Sequence, residues 1–364
     1  MAKLSNILTA RSSQGPSDNF KNIIINGAMQ VAQRSTSVAS LTTEGYRTVD
    51  RFSLVLGSMG TWTMSQENDA PTGSGFRKSV KILCTTADAS PAASDQVRLD
   101  TYLEGQNLQH IKKGTAAAEQ LTLSFWVKSN VTGTHTVRLV DYDNTRGDSA
   151  SYTISVSGTW EKKTITFPAD TTGAFDNDNA ASLGLIFGLG FGSNFTSGTL
   201  QSTWGSYTDA NSHVGQVNVA SAINNYWQVT GVQLEVGDTA TPFEFKPYAQ
   251  DLRECQRYYH LQAKDVDKPF GMGYNYQSTQ AIGSCYLPVP MRTTPTSASL
   301  SGTNYYGLER NGGFDYFNSI TISSVANETM VVFNNNTQIS GTAGDAGLMY
   351  TASVESFIAF QAEL

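Results

Sequence analysis

Short runs in which apolar and polar residues alternate recur along most of the chain, and this period of two predicts β-strands. In the run LTLSFWVKS every second residue is apolar. One face of that strand would carry Leu121, Leu123, Phe125 and Val127. About ten such runs lie within residues 20–247, with no helical pattern between them. We therefore expect an all-β chain that opens with two packed antiparallel sheets, a β-sandwich or jelly roll.

The pattern changes after residue 247, where YAQDLRECQRYYHLQAK places apolar residues three and four positions apart. This spacing predicts a short helix over residues 248–262, begun by Pro247. Its apolar stripe consists of Leu252, Cys255, Tyr258 and Tyr259. Two arrangements would bury the stripe: packing against the neighbouring sheet, or a threefold helix bundle in which each copy of the chain covers the other two.

Further strand patterns continue to the last residue, so residues 263–364 are expected to form a second, smaller β domain. Residues 1–19 are polar, rich in Ser and without a period. They are expected to form an arm that is ordered on a partner, although a frayed terminus would look the same. The chain is thus divided into an arm, a jelly roll at 20–247, a helical linker at 248–262 and a terminal β domain.

Composition supports short strands joined by tight turns, because the chain contains 32 Gly, 16 Tyr and 17 Phe while charged residues make up 15%. The formal net charge of −7 argues against nucleic acid as a partner, since its phosphates attract clustered Lys and Arg. No apolar run approaches the ~20 residues of a membrane span, and the first residues lack the apolar core of a secretion signal. We expect neither membrane insertion nor secretion by the usual route, so release would follow lysis of the producing cell.

The three cysteines, Cys84, Cys255 and Cys285, are odd in number and far apart in sequence. Such a set predicts free thiols and assembly in a reducing cytoplasm. The sequence also lacks GxSxG, HExxH and P-loop patterns, and its four His residues are scattered. A glycosidase needs only two carboxylates that the fold brings together, and the sequence leaves that open. We expect that the protein is not an enzyme.

Two stretches carry a resemblance to a known family: NIIINGAMQVAQR…YRTVDRF near the beginning, and GVQLEVGDTATPFEFKPYAQDLRECQRYY before and within the predicted helix. Both resemble a module that is widespread in bacteriophage tail fibre and other virion structural proteins. The resemblance covers residues 20–260, and LPVPMRTTPT with the AEL ending extends it more weakly. It implies a carbohydrate-binding-like jelly roll, a distal β tip domain and homotrimers on the outside of the particle, and it assigns no binding residue.

The function that this resemblance implies is that of a homotrimeric fibre subunit. It would be assembled in the host cytoplasm, anchored to other virion proteins through residues 1–19, and would attach to host surface polysaccharide. Three identical shallow sites would gain avidity from being held together. A purely structural virion protein without a ligand, such as a head or neck fibre, is the alternative from a different class. A glycan depolymerase is the third hypothesis, but no long β-helical repeat is visible.

Proteins bind glycans through aromatic faces that stack on sugar rings, with amides and carboxylates for the hydroxyl groups. Trp204 and Tyr207 lie in the polar segment SGTLQSTWGSYTDANSH and are the leading candidates for such contacts. The alternative is that they hold a long loop in place. Trp62 and Trp126 fall on the polar faces of their strands and are further candidates; Trp126 could equally be an interface residue.

The terminal β domain offers a second set of aromatic candidates, which crowd around Asn and Gly. This set consists of Tyr274, Tyr276, Tyr305, Tyr306 and Tyr316. A surface rich in tyrosine and glycine binds adaptably, and packing at a trimer interface is the alternative. The two remaining tryptophans, Trp160 and Trp227, are expected in the core.

Two acidic loops offer hard oxygen ligands at alternate positions, which calcium prefers. The loop DYDNTRGD would supply Asp141, Asp143 and Asp148, and the loop FDNDN would supply Asp176 and Asp178. Neither loop completes an EF-hand, and Asp is also an ordinary turn residue. Calcium is therefore the one cofactor that the sequence suggests, and no cofactor at all is the alternative.

Overall fold

The computed structural model describes residues 21–335 and 338–364. It confirms the expected all-β fold class, since 44% of the chain is strand and 7% is helix. The expected arm at residues 1–19 lies outside the described residues. The chain divides into two compact units. The first comprises residues 21–29, Val38–Gly45 and Ser53–Lys246, and the second comprises Gln30–Ser37, Tyr46–Phe52 and Pro247–Leu364.

Two sheets form the first unit, as expected for a sandwich. Their strands are β1 (Ser37–Leu41), β2 (Gly45–Tyr46), β3 (Ser53–Gly57), β4 (Thr61–Glu67), β5 (Ser79–Thr86), β6 (Gln96–Glu104), β7 (Leu121–Ser129), β8 (Gly133–Asp141), β9 (Arg146–Ile154), β10 (Glu161–Phe167), β11 (Ala181–Phe191), β12 (Gly205–Ser206) and β13 (Tyr226–Val236). Short helical turns are α1 (Ser193–Thr196) and the 3-10 turns Gly105–Asn107, Gln109–Ile111, Asp209–Asn211 and Val219–Ser221. One sheet has the order β1-β4-β5-β13-β7-β10 and the other β12-β9-β8-β11-β6-β3-β2.

Aromatic rings from both sheets interlock in the core of the first unit. Phe125 of β7 contacts Tyr152 of β9 and Phe187 of β11, each at 5.1 Å between ring centroids. Trp227 of β13 is fully buried, as expected, and its Nε1 donates a hydrogen bond of 3.1 Å to the Tyr152 hydroxyl. Burying one large apolar side chain stabilises a fold by ~1.5–3 kcal/mol. The alternation at residues 121–129 therefore predicted the inward face of β7 correctly.

The second unit contains one helix and two sheets. Its elements are α2 (Tyr248–Gln256), β14 (Tyr259–Lys264), β15 (Lys268–Gln277), β16 (Gln280–Tyr286), β17 (Thr296–Ser297), β18 (Tyr306–Arg310), β19 (Gly313–Phe317), β20 (Thr321–Ile322), β21 (Met330–Asn335), β22 (Ala346–Thr351) and β23 (Phe357–Gln361). The sheet orders are β14-β23-β17 and β19-β18-β22-β15-β16-β21-β20. Their shared core includes Phe270, Tyr306, Phe317, Phe333 and Met349.

The helix is shorter than predicted, because it ends at Gln256 and the chain enters β14 at Tyr259. The end of the predicted stripe therefore lies on a strand. Cys255 and Tyr258 are buried together with Tyr259, whereas Leu252 is half-buried. Most of the stripe is thus covered within a single copy of the chain.

Two arginines of the second unit cover the tyrosines that follow the helix. The guanidinium of Arg51 lies 3.5 Å from the centre of the Tyr258 ring, and that of Arg34 lies 3.6 Å from the Tyr259 ring. Glu363 pairs with both, at 2.9 Å from Arg34 Nη2 and 2.5 Å from Arg51 Nη1. Tyr258 and Tyr259 are therefore buried within their own chain, and the threefold bundle stays a prediction.

The three cysteines are free and buried, which confirms the prediction of free thiols. Burial raises the pKa of the Cys285 thiol to about 12, so little of the reactive thiolate exists near neutral pH. Within the described residues, no helix has both the length and the apolar character to cross a membrane.

Candidate functional site

The face of the seven-stranded sheet in the first unit that points away from the core carries the candidate site. Ile186 on β11 lies directly opposite Asp100 on β6 and Arg138 on β8. Directly opposite residues of antiparallel strands share one face of the sheet. Leu99 and Phe187 are opposite each other and buried in the core. Because successive residues of a strand alternate between faces, Asp100, Ile186 and Arg138 face away from that core.

A cavity of about 260 Å³ lies on this face, and we call it the groove. It is lined by Arg98, Val140, Asp141, Tyr142, Thr145, Ile186 and Tyr207. Glycine keeps it open: Gly184 lies opposite Tyr102 on β6 and Val140 on β8. A Cβ atom at Gly184 would come within 2.9 Å of the Tyr142 ring. A larger residue here would therefore displace that ring.

Two tyrosines form the aromatic sides of the groove. Tyr142 follows β8, is 42% exposed, and its ring centroid lies 5.9 Å from that of Tyr102. Tyr207 follows β12, is half-buried, and its ring centroid lies 3.9 Å from the guanidinium carbon of Arg138. Burial raises the pKa of the Tyr142 and Tyr207 hydroxyls, so both groups are neutral hydrogen-bonding partners near pH 7.

A buried ion pair lies at one side of the groove. The Asp100 carboxylate is fully buried, accepts a hydrogen bond of 2.9 Å from the Tyr102 hydroxyl and lies 3.1 Å from Arg98 Nε. Its Oδ1 atom has no hydrogen-bond partner in the described part of the chain. Burial raises the pKa of Asp100, and the positive charge of Arg98 opposes that rise. Because the Arg98 side chain is 19% exposed, the pair presents a reachable cation to the groove.

Arg138 is the second cation on this face, and it is only 1% exposed. Its Nη2 lies 3.5 Å from Gln201 Oε1, while Nε and Nη1 have no hydrogen-bond partner within residues 21–335 and 338–364. The guanidinium packs closely over Gly147, where a Cβ atom would come within 2.5 Å of Nη2. Burial lowers the pKa of Arg138, and unmet buried donors cost folding free energy. This geometry leaves hydrogen-bonding capacity for a ligand.

Of the two leading predicted contacts, Trp204 and Tyr207, only one lies at the groove. Tyr207 lines the groove. Trp204 is half-buried; its Nε1 donates a hydrogen bond of 2.9 Å to the Pro168 carbonyl oxygen, and its ring lies 5.4 Å from Lys113 Nζ. Trp204 is not among the groove's lining residues, and its contacts fit the alternative in which it holds a loop in place.

The other tryptophans need two corrections. Trp62 is fully buried and its Nε1 donates to a backbone carbonyl at 2.6 Å, so it offers no ring face to a ligand and the prediction was wrong. Trp126 is half-buried on β7, in the six-stranded sheet, which is not the sheet of the groove. Trp160, expected in the core, is only half-buried, and its Nε1 donates to Asp69 at 3.2 Å.

The predicted tyrosines of the second unit fall into two groups. Tyr274, Tyr276 and Tyr316 are exposed. Tyr306 is fully buried in the core, and Tyr305 is half-buried with its hydroxyl 2.8 Å from a glutamate carboxylate. Tyr306 therefore supports the fold and cannot contact a ligand.

Three of the five predicted calcium ligands have partners within the chain. Asp141 is fully buried and pairs with a buried lysine at 2.5 Å. Asp143 accepts a hydrogen bond of 2.9 Å from the backbone of Asp176, and Asp178 caps its own turn. Asp148 is buried on the core side of β9. No group of three or more His, Cys, Asp or Glu side chains in the described ranges could hold a metal ion. The structure therefore does not support the calcium site.

Sequence reasoning missed five residues of the site: Arg98, Asp100, Tyr102, Arg138 and Tyr142. The alternation in DQVRLDTYLEG and THTVRLVDYD already placed charged and aromatic residues on the outward faces of two strands. It could not show that these two strands flank β11, which comes much later in the chain. A usable signal was the run SLGLIFGLGF, in which three glycines alternate with core residues and leave few side chains on the outward face of the strand.

No protein-family model matches this chain, and no curated protein matches it in sequence. Among solved structures, the chain is similar to the enzymatically active domain of tailspike protein 4 of bacteriophage CBA120. The identity is 15% and the TM-score 0.32, over 59% of this chain and 21% of that chain. The match therefore spans about a fifth of the tailspike chain.

Two further similar structures come from Clostridium thermocellum. The family 11 carbohydrate-binding module of the cellulase Lic26A-Cel5E shows 11% identity and a TM-score of 0.29, over 56% of this chain and 98% of that chain. The N-terminal modules of endo-1,4-beta-D-xylanase 10B, complexed with xylohexaose, show 15% identity and a TM-score of 0.27. The match covers 63% of this chain and 29% of that chain. At these identities and TM-scores, the similarity does not indicate what this chain binds.

Proposed function

We propose that this protein is a glycan-binding fibre subunit whose groove holds part of a host surface polysaccharide. The groove carries the proposal, because Tyr142 and Tyr207 place aromatic rings beside the ion pair of Arg98 and Asp100. Aromatic faces stack on the C–H faces of sugar rings, and fixed polar groups bind the hydroxyls. At about 260 Å³ the cavity is smaller than the ~300–1,000 Å³ of drug-sized pockets, which suits shallow contact with a short stretch of a long chain.

A bacteriophage particle and a homotrimer are the wider setting of this proposal, as the motif resemblance implies. An exposed apolar face on the second unit's seven-stranded sheet supports self-association. Met272 lies opposite Leu348, and both are exposed. Phe314 and Tyr316 on β19 are exposed on the same face. Such patches mark interaction surfaces, and three linked shallow sites gain avidity.

Binding without cleavage is part of the proposal. The carboxylates beside the groove are engaged: Asp100 pairs with Arg98, Asp141 pairs with Lys113, and Asp209 interacts with the Tyr207 hydroxyl. Glycoside hydrolysis needs one carboxyl group as acid and another as base or nucleophile. Incubation with host polysaccharide is expected to release no reducing sugar, and a steady release would overturn this part.

The binding function is tested with a glycan array on the full chain, followed by titration calorimetry with the best ligand. Tyr142→Ala is expected to weaken binding ~10-fold or more, since losing an aromatic contact of ~1.5 kcal/mol corresponds to about that factor. Tyr248→Ala, an exposed tyrosine at the start of α2, is the matched control and should leave the affinity unchanged. If the parent protein binds no glycan, the groove proposal fails and the purely structural virion protein stands.

Self-association is tested by light scattering at micromolar concentration. A trimer has three times the chain mass of 39.3 kDa. Leu348→Lys is expected to lower the measured mass, because it places a charge in the apolar face. Val354→Lys, at an exposed position between β22 and β23, is the control. A monomeric parent protein would overturn the assembly part and leave glycan binding untouched.

A further inference from the structure

We propose that the groove selects an acidic glycan, and that Arg98 and Arg138 together bind the carboxylate of one of its sugars. This inference rests on the proposed function, because it names the ligand class of the same groove. Two arginines share this sheet face although the chain has a formal net charge of −7.

The two guanidinium groups flank β11. Arg98 on β6 lies opposite Gly188, and Arg138 on β8 lies opposite Ile186. Two strand spacings, ~10 Å, separate the backbones of β6 and β8. The groove is lined by Arg98 of β6, Ile186 of β11 and Val140 of β8. It therefore lies over the strand that separates the two cations.

Carboxylates of the protein lie near both cations, but only Arg98 is paired directly with one. Asp100 pairs with Arg98 at 3.1 Å. Two carboxylates act on Arg138 electrostatically: Asp209, whose carboxylate interacts with the Tyr207 hydroxyl, and Asp148 on the core side of β9. Neither forms a hydrogen bond with Arg138, whose Nε and Nη1 have no partner in the described part of the chain. One guanidinium thus lacks a bonded counter-ion.

A carboxylate suits these unpartnered donors of Arg138 better than a neutral hydroxyl. A guanidinium is a planar fork of donors that matches the two oxygens of a carboxylate, and such charged pairs bond more strongly than neutral ones. A sugar hydroxyl would accept from one donor only and carries no charge that attracts the guanidinium. The Tyr207 ring, 3.9 Å from the Arg138 guanidinium, covers it on the groove side. Binding of the carboxylate to Arg138 therefore requires rotation of the Tyr207 side chain, and the sugar ring then packs against Tyr142.

The test compares acidic oligosaccharides with their own carboxyl-reduced forms, which keep the ring stereochemistry and lose the charge. The panel contains oligogalacturonate, oligomannuronate and a sialylated oligosaccharide, each titrated into the full chain. We expect at least one acidic member to bind ~10- to 100-fold more tightly than its reduced partner, the factor that one charged hydrogen bond provides. Binding of neutral glycans without any acidic preference overturns this inference and leaves the proposed function standing. Failure of every glycan overturns both.

Arg138→Gln is expected to remove the acidic preference, and Arg138→Lys to restore it only in part, since lysine keeps the charge and loses the fork. Lys162→Gln, an exposed residue on the six-stranded sheet, removes the same charge away from the groove and is the control. If Arg138→Gln does not fold, Arg98→Gln tests the same point at a more exposed position. Equal losses in the groove variants and in Lys162→Gln would contradict the assignment.

Discussion

Asp148 gives the first unit a stability that depends on pH. It lies opposite Leu139 on the core side of β9, is 1% exposed, and its Oδ2 has no hydrogen-bond partner in the described residues. Burial raises the pKa of Asp148 from 3.8 to about 7; the charge of Arg138 opposes the rise and that of Asp170 adds to it. Between these two values the folded protein holds a proton that the unfolded chain has lost. The free energy of unfolding therefore falls as pH rises through this window.

The size of the effect follows from the difference between about 7 and 3.8, which is about three pH units. Each unit corresponds to ~1.4 kcal/mol, so the ionised carboxylate costs the fold up to ~4 kcal/mol above pH 7. Asp148→Asn keeps the shape and cannot ionise. We expect the variant to exceed the parent in stability by ~2–4 kcal/mol at pH 8 and to match it near pH 4.

Guanidinium chloride unfolding at pH 4, 6 and 8, followed by tryptophan fluorescence, measures this directly. All five tryptophans lie in the first unit, so the signal reports on the unit that contains Asp148. Asp178→Asn, at an exposed turn position, controls for the effect of replacing a carboxylate with an amide. An equal effect of Asp148→Asn at pH 4 and pH 8, or a larger gain at pH 4, would refute the reasoning.

Three further predictions follow from individual contacts. Gly184→Val should lower glycan affinity ~10-fold in calorimetry, because its Cβ would meet the Tyr142 ring at 2.9 Å; unchanged affinity would show that the ring is not part of the site. Glu363→Gln should lower the free energy of unfolding of the second unit by ~3 kcal/mol, since buried Arg51 loses its counter-charge; denaturant curves that match the parent would contradict this. Trp62→Ala should cost ~3–5 kcal/mol and leave the affinity of the folded protein unchanged, and a selective loss of binding would restore Trp62 as a contact.

Local patterns predicted the strands well and the end of the helix poorly. Every second residue of LTLSFWVKS faces the core because the pleat of a strand has a period of two, which needs no tertiary information. The residues after Gln256 carry a helical spacing as well, yet they form β14. The reason is non-local: Tyr259 pairs with Gln361 and His260 with Phe360 on β23. Pairing with the last strand of the chain overrides the local preference.

The candidate site depends almost wholly on strand order, which explains what the sequence did not reveal. Tyr207 was found because a large aromatic residue in a polar loop is conspicuous. Arg98 and Arg138 belong to separate strands, and only the insertion of β11 between β6 and β8 places them on either side of one groove. Trp62 was misjudged because it falls on the polar side of its strand pattern, whereas its indole is buried and bonded to the backbone of a nearby turn.

The most direct test of glycan binding in the groove is a crystal structure of the full chain with a bound oligosaccharide chosen from the array. We expect a sugar ring against Tyr142, above Ile186 and within hydrogen-bond distance of Arg98. A sugar found on the six-stranded sheet at Trp126, or on the second unit at Tyr274, with the groove empty, would contradict it.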